Sequence, residues 1–160
     1  MQRLLFNTTI SLIFCITTTA CGRVGKGIQI KMEPVKEYLV SDSVTKLQKA
    51  TNNDTLNYDT KNPYIIIEAV TNETLARFGK AVLGVATVGG HQCKIQIAYR
   101  TFSYPQDWID SVVWHEIGHC FYLEHSTDDE DIMYKYARPL SWYSTEVLSN
   151  FFRRLYEASH

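Results

Sequence analysis

A chain of 160 residues with 45 % apolar content is long enough to bury one hydrophobic core and too short for two comfortable domains. Its formal net charge of −1, with no long run of Lys or Arg, gives no field for a polyanion, so nucleic acid is excluded as an expected partner. The expectation is a single globular unit acting as a monomer.

Residues 1–20 read as an export signal: Arg3 supplies a positive start, residues 4–16 are largely apolar, and Thr17-Thr18-Thr19-Ala20 leads into Cys21. Asn7, Thr8 and Thr9 interrupt the apolar run and make it a poor transmembrane span. Small residues followed by a cysteine resemble a bacterial lipoprotein cleavage box, with Thr18 standing where such boxes usually carry Leu. The resemblance implies lipidation at Cys21, a tether over residues 21–26 to a membrane facing the periplasm or cell surface, and a folded domain over residues 27–160. The alternative is an ordinary secretory signal cut nearby, with Cys21 a free thiol. Either way the mature chain leaves the cytoplasm, and no sizeable pro-segment is expected before Gly27. Cys15 lies in the signal, so Cys93 and Cys120 remain as an even pair in an oxidising compartment and are candidates for a disulfide.

Ile28, Ile30 and Met32 alternate with Gln29 and Lys31, the period of a half-buried strand that Glu33-Pro34 ends. Over residues 35–50, Leu39, Val40, Val44 and Leu47 recur at helical spacing against Lys36, Glu37, Asp42, Lys46 and Lys49, which predicts an amphipathic helix. Residues 51–63 are polar, a long connection with a short strand near residues 56–58. The unbroken run Ile65-Ile66-Ile67 predicts a strand covered on both faces. Residues 81–88 and 92–100 predict a hairpin turning at Gly89-Gly90-His91, with Ile95, Ile97 and Tyr99 facing inward.

After Pro105, residues 108–122 carry Ile109, Val113, Ile117 and Cys120 along one stripe, the mark of a helix packed on a sheet; Cys120 then faces the sheet that holds Cys93. His115 and His119 fall on another face. A last helix over residues 145–158 has Ser144 as N-cap, Glu146 in its first turn and Val147, Leu148, Phe151, Phe152 and Leu155 as its buried stripe. Strand, helix, strands, helix, loop and helix in that order predict an α+β fold, a twisted sheet covered by helices.

His115-Glu116-Ile117-Gly118-His119 places two histidines at i and i+4, so both imidazoles point from one helix face at a single ion. Glu116 lies about 100° around the helix from His115, beside such an ion rather than on it, where a carboxylate can take a proton from water. An open catalytic zinc site needs three protein ligands, and His125 is the natural third. With five His in the chain, chance placement of this pentapeptide pattern is on the order of one in a hundred, and a further His six residues on makes it far rarer. Idle histidines on a surface helix are therefore a poor account.

The run from His115 through Cys120, Phe121, Tyr122, Leu123 and Glu124 to His125, followed by Asp131-Ile132-Met133-Tyr134, resembles the metzincin clan of zinc peptidases, and its matrixin branch most. The resemblance implies Zn2+ held by His115, His119 and His125, a Met-turn at Met133 as the floor under the histidines, and a mixed sheet packed on the zinc helix. It further implies Glu116 as general base, a peptide or protein substrate paired along the strand at residues 81–88, and residues 136–142 lining a side-chain pocket. The family glycine between the second and third histidines, where the chain turns with positive φ, is Tyr122 here, at an expected cost of about 1–2 kcal/mol. Two rival readings are a zinc-containing lipoprotein that binds a surface partner without hydrolysis, and a site of the gluzincin kind with Glu146 as third ligand.

Overall fold

The computed structural model describes residues 27–53, 56–57 and 63–158. The export signal, the lipidation position Cys21 and the tether to residue 26 lie outside the described residues. In chain order the elements are β1 (Ile28–Lys31), α1 (Pro34–Thr51), β2 (Ile65–Val70), a single turn α2 (Asn72–Leu75), β3 (Gly84–Gly89), β4 (Gln92–Ala98), α3 (Gln106–Cys120) and α4 (Thr145–Ala158). Among the described residues no helix is long and apolar enough to cross a membrane.

The fold is α+β, with one four-stranded mixed sheet in the order β1-β2-β4-β3. β1 and β2 run parallel because α1 carries the chain back between them, and β2 and β4 are parallel as well. The turn at Gly90-His91 reverses the chain into a tight hairpin, with Gly90 at φ +60° where a side chain is costly, so β3 is antiparallel to β4 and forms the sheet edge. One face is apolar: Ile28, Ile30, Ile65, Ile67, Cys93, Ile95 and Ile97 are buried. Its opposite face carries Gln29, Glu68, Lys94 and Gln96. Ile66 lies between Gln29 and Lys94 in register and is only half-buried, so the strand is covered on one face rather than the two expected.

Three further expectations need correcting. β3 begins at Gly84 rather than residue 81, although the Leu83 carbonyl still accepts from the Ala98 N–H of β4 at 2.9 Å. Tyr99 faces outward at 41 % exposure, because β4 stops at Ala98 and the chain winds into a 3-10 turn over Tyr99–Ser103. Leu56 is buried in a turn closed by its N–H to the Asn53 carbonyl, not in a strand, and Tyr58 lies outside the described residues.

α3 begins right after Pro105, two residues earlier than expected, and ends at Cys120. Its stripe of Ile109, Val113, Ile117 and Cys120 is fully buried, each large apolar side chain contributing about 1.5–3 kcal/mol. A second side packs on α1: Trp114 Nε1 donates to the Ser43 carbonyl at 3.0 Å, and buried Asp110 pairs with Lys46 Nζ at 2.8 Å and accepts from Gln106 Nε2 at 2.6 Å. A disulfide joins Cys120 to Cys93 of β4, with Cα atoms 5.5 Å apart. At α4 the Ser144 hydroxyl accepts from Val147 N–H at 3.2 Å, which caps the helix, and Phe151 and Leu155 are its deeply buried residues.

Candidate metal centre

α3 ends in a Schellman turn. Tyr122 N–H donates to the His119 carbonyl and Leu123 N–H to the Gly118 carbonyl, both at 3.0 Å, with Tyr122 itself at φ +62°. The backbone satisfies two carbonyls of the helix end by bending left-handed, and a tyrosine occupies the position that glycine fills most cheaply. That turn presents the Leu123 carbonyl to His119 Nδ1 at 2.7 Å. A second loop does the same for His115, whose Nδ1 lies 2.8 Å from the Ile132 carbonyl. A carbonyl only accepts, so in both rings Nδ1 carries the proton and Nε2 bears a lone pair.

Those lone pairs meet. His119 Nε2 lies 3.1 Å from His115 Nε2 and 3.1 Å from His125 Nε2, and His115 and His125 are 3.3 Å apart. Two Nε2 atoms without protons cannot hydrogen-bond to each other, so their close approach is repulsive unless a cation lies between them. Nitrogens about 2.0–2.1 Å from a tetrahedral ion stand roughly 3.3–3.4 Å apart, within 0.3 Å of what is observed. The three histidines are thus positioned to bind a metal ion, and no other group of this kind occurs among the described residues. Glu146, exposed in the first turn of α4, is not brought to them.

Exposure rises from His115 through His119 to His125, which stands on the surface. Burial, aided by the neighbouring imidazoles, pushes His115 down to about 4, and burial lowers His119 as well. Neither of these two ligands therefore has to shed a proton at neutral pH before it can hold a cation.

Glu116 is buried at 6 % exposure, and burial pushes its carboxyl up to about 8, opposed by the Ala86 N–H that donates to it from β3. The edge strand crosses directly over it: a Cβ at Gly84 would sit 2.9 Å from both Cγ and Oε1 of Glu116. Met133 is fully buried against α3, where a Cβ at Gly118 would come within 2.5 Å of its sulfur. The loop that carries it is closed by Ser126 N–H to the Met133 carbonyl at 2.9 Å. Asp131 spans the same loop, accepting from Met133 N–H at 2.8 Å and pairing with Arg154 of α4 at 2.6 Å.

Gly84, Gly118, Asp131 and Arg154 were not singled out by the sequence. A glycine inside a helix costs about 1 kcal/mol against alanine, so Gly118 was a signal of close approach that could have been read, and Gly84 in a strand is its counterpart. Asp131 two residues before Met133 fits a side-chain-closed turn. Nothing in the pattern of α4 marks Arg154.

His115, Glu116, His119 and His125 share a cleft of about 880 Å3. Residues 78–86, Val112 and residues 135–137 line it together with them. Compared with known proteins, the chain matches no family model and no curated sequence.

Proposed function

We propose that this chain is a zinc-dependent endopeptidase of the metzincin kind, nearest the matrixins, exported and lipid-anchored through Cys21. The observation that carries the reading is the convergence of three imidazole Nε2 atoms beside a buried carboxyl, within one cleft bordered by the edge strand β3. A three-imidazole donor set with an open fourth position suits zinc among the available metals. The sequence from His115 to His125 and the placement of Met133 against the zinc helix support the clan. The Cys93–Cys120 bond supports an oxidising compartment outside the cytoplasm.

Zinc in such a site supplies a Lewis acid for the scissile carbonyl and lowers the pKa of a bound water to about 7. The remaining work falls to the chain. β3 has no strand on its outer side among the described residues, so its free N–H and C=O groups can align an extended peptide by strand addition. The Glu116 carboxylate takes a proton from the attacking water and returns it to the leaving amine, so that one amide and one water become a carboxylic acid and an amine.

The purified mature chain is expected to hold close to one zinc and to cleave unfolded protein. Glu116→Gln should keep the zinc and lose about 10²–10⁴-fold in turnover. Full activity in Glu116→Gln removes its role as base. A zinc-loaded wild type that cleaves nothing while still binding a partner leaves the non-hydrolytic binding module as the reading.

A further inference from the structure

Lys80 and Lys135 both line the cleft, one on the segment leading into β3 and the other two residues beyond Met133. Both are exposed and neither has a carboxylate within ion-pair distance among the described residues, which is also true of Lys31, Lys49, Arg77 and Arg100; what sets Lys80 and Lys135 apart is that both line the cleft. Lys135 is held at the cleft by its neighbour, its Nζ lying 5.0 Å from the centre of the Tyr136 ring. Among the residues that line the cleft Glu116 is the one carboxyl, and it is buried under β3. Apart from the three histidines, Glu116 and the two lysines the lining is largely apolar, with Phe78, Val82, Leu83, Val112 and Ala137.

A chain of net charge −1 thus places two cations and no exposed carboxylate along one cleft, a local positive field that favours anionic groups entering it. We infer that the cleft selects extended peptides that carry acidic side chains on either side of an apolar residue at the cleaved bond. The inference rests on the peptidase reading and adds the substrate class to it. Acidic side chains gain from both lysines and from the charge of the metal centre, and a cleft with apolar walls focuses that field, while a basic peptide is repelled. Exposed pairs are individually weak and screened by salt, so the two lysines together give a preference of about tenfold at low ionic strength.

The test uses two short peptides with blocked termini and a fluorescent label, identical in a central Leu but flanked by Asp and Glu in one and by Lys in the other. Zinc-loaded Glu116→Gln reports binding by anisotropy, and wild type is offered the same peptides for cleavage. The acidic peptide is expected to bind about tenfold more tightly, with a preference that shrinks in high salt and reverses when Lys80→Glu and Lys135→Glu are added. Equal binding overturns the inference even where both peptides are cleaved. So does a preference that the double lysine variant leaves unchanged, since it would belong to the metal alone. Selective binding of the acidic peptide without cleavage by wild type keeps the inference and overturns the peptidase reading.

Discussion

His115 and His119 sit on a helix clamped by the sheet, by α1 and by a disulfide, whereas His125 stands exposed on a loop that no regular element contains. The helical pair is oriented twice over, by the pitch of α3 and by carbonyls that accept from each Nδ1. His125 has the spacing of the chain and a handful of loop hydrogen bonds. Two of the three histidines are therefore placed by folding, and the third would be fixed by a cation held in the proposed site.

The largest expected effect breaks that contrast at the metal. His115→Ala and His119→Ala should lose stoichiometric zinc, because two remaining ligands rarely hold it in a folded site. His125→Ala should lose it too, yet leave the stability of the metal-free chain within about 0.5 kcal/mol, since the residue is exposed, while His115→Ala lowers that stability. Metal content by mass spectrometry and denaturant unfolding of the metal-free proteins separate the two. Retained zinc in both helix variants would end the ligand assignment.

Glu116 belongs to the clamped half and carries the next largest effect. Its folded value, about 8, lies above the unfolded value of 4.5, so the folded metal-free chain holds a proton that the unfolded chain releases. Stability is then lost as pH rises from 4.5 through 8, on the order of 5 kcal/mol in full. His115 has the opposite sign: its folded value, about 4, lies below 6.5, so stability is lost as pH falls from 6.5 through 4. Metal-free Glu116→Gln should lack the alkaline loss and unfold at a higher temperature than wild type at pH 8. A wild-type midpoint that does not fall between pH 6.5 and 8 contradicts the burial argument.

The disulfide anchors the same half from beneath. Closing a loop with a sequence separation of 27 contributes about 3.5 kcal/mol in the chain-entropy account, so Cys93→Ala with Cys120→Ala should shift the unfolding free energy by that order. The variant should also bind zinc less tightly, because Cys120 directly follows His119 in the last turn of α3.

What was legible in the sequence follows the same division. Period and spacing specify what regular structure builds: the alternation of Ile28 and Ile30, the stripe through Ile109, Val113 and Ile117, and the two imidazoles one turn apart. Coverage of a strand does not follow from its own residues, and Ile66 is only half-buried on a face it shares with Gln29 and Lys94. The carbonyls of Leu123 and Ile132 that orient the histidines belong to apolar residues with nothing in their side chains to announce the role. Arg154 reaches the Met133 loop from a helix that reads as an ordinary amphipathic one.

That loop supports the clamped half from outside α3, through the carbonyl it offers to His115. Asp131→Asn keeps the shape of the side chain but removes the charge that holds Arg154, and it loosens the turn that presents the Ile132 carbonyl to His115. Partners of this kind typically change metal affinity about 10–100-fold. Zinc competition titrations should show that loss with the stoichiometry unchanged, and Arg154→Met should reproduce most of it. A tenfold loss in neither variant would mean that the loop is held by Met133 packing and backbone bonds alone.

The smallest effect concerns the junction of the two halves. Tyr122 is 72 % exposed, so its ring contributes little burial, while its φ of +62° costs about 1–2 kcal/mol for an L side chain. Tyr122→Gly removes that cost but adds freedom to the unfolded chain worth about 0.4–1 kcal/mol, which leaves a net gain between zero and about 1.6 kcal/mol. Tyr122→Ala keeps the strain and should match wild type closely. Zinc affinity should be the same in all three, because the bonds that place the Leu123 carbonyl run through backbone atoms of residues 118, 119, 122 and 123. If Tyr122→Gly and Tyr122→Ala are destabilised alike, the ring rather than the backbone angle matters at this position.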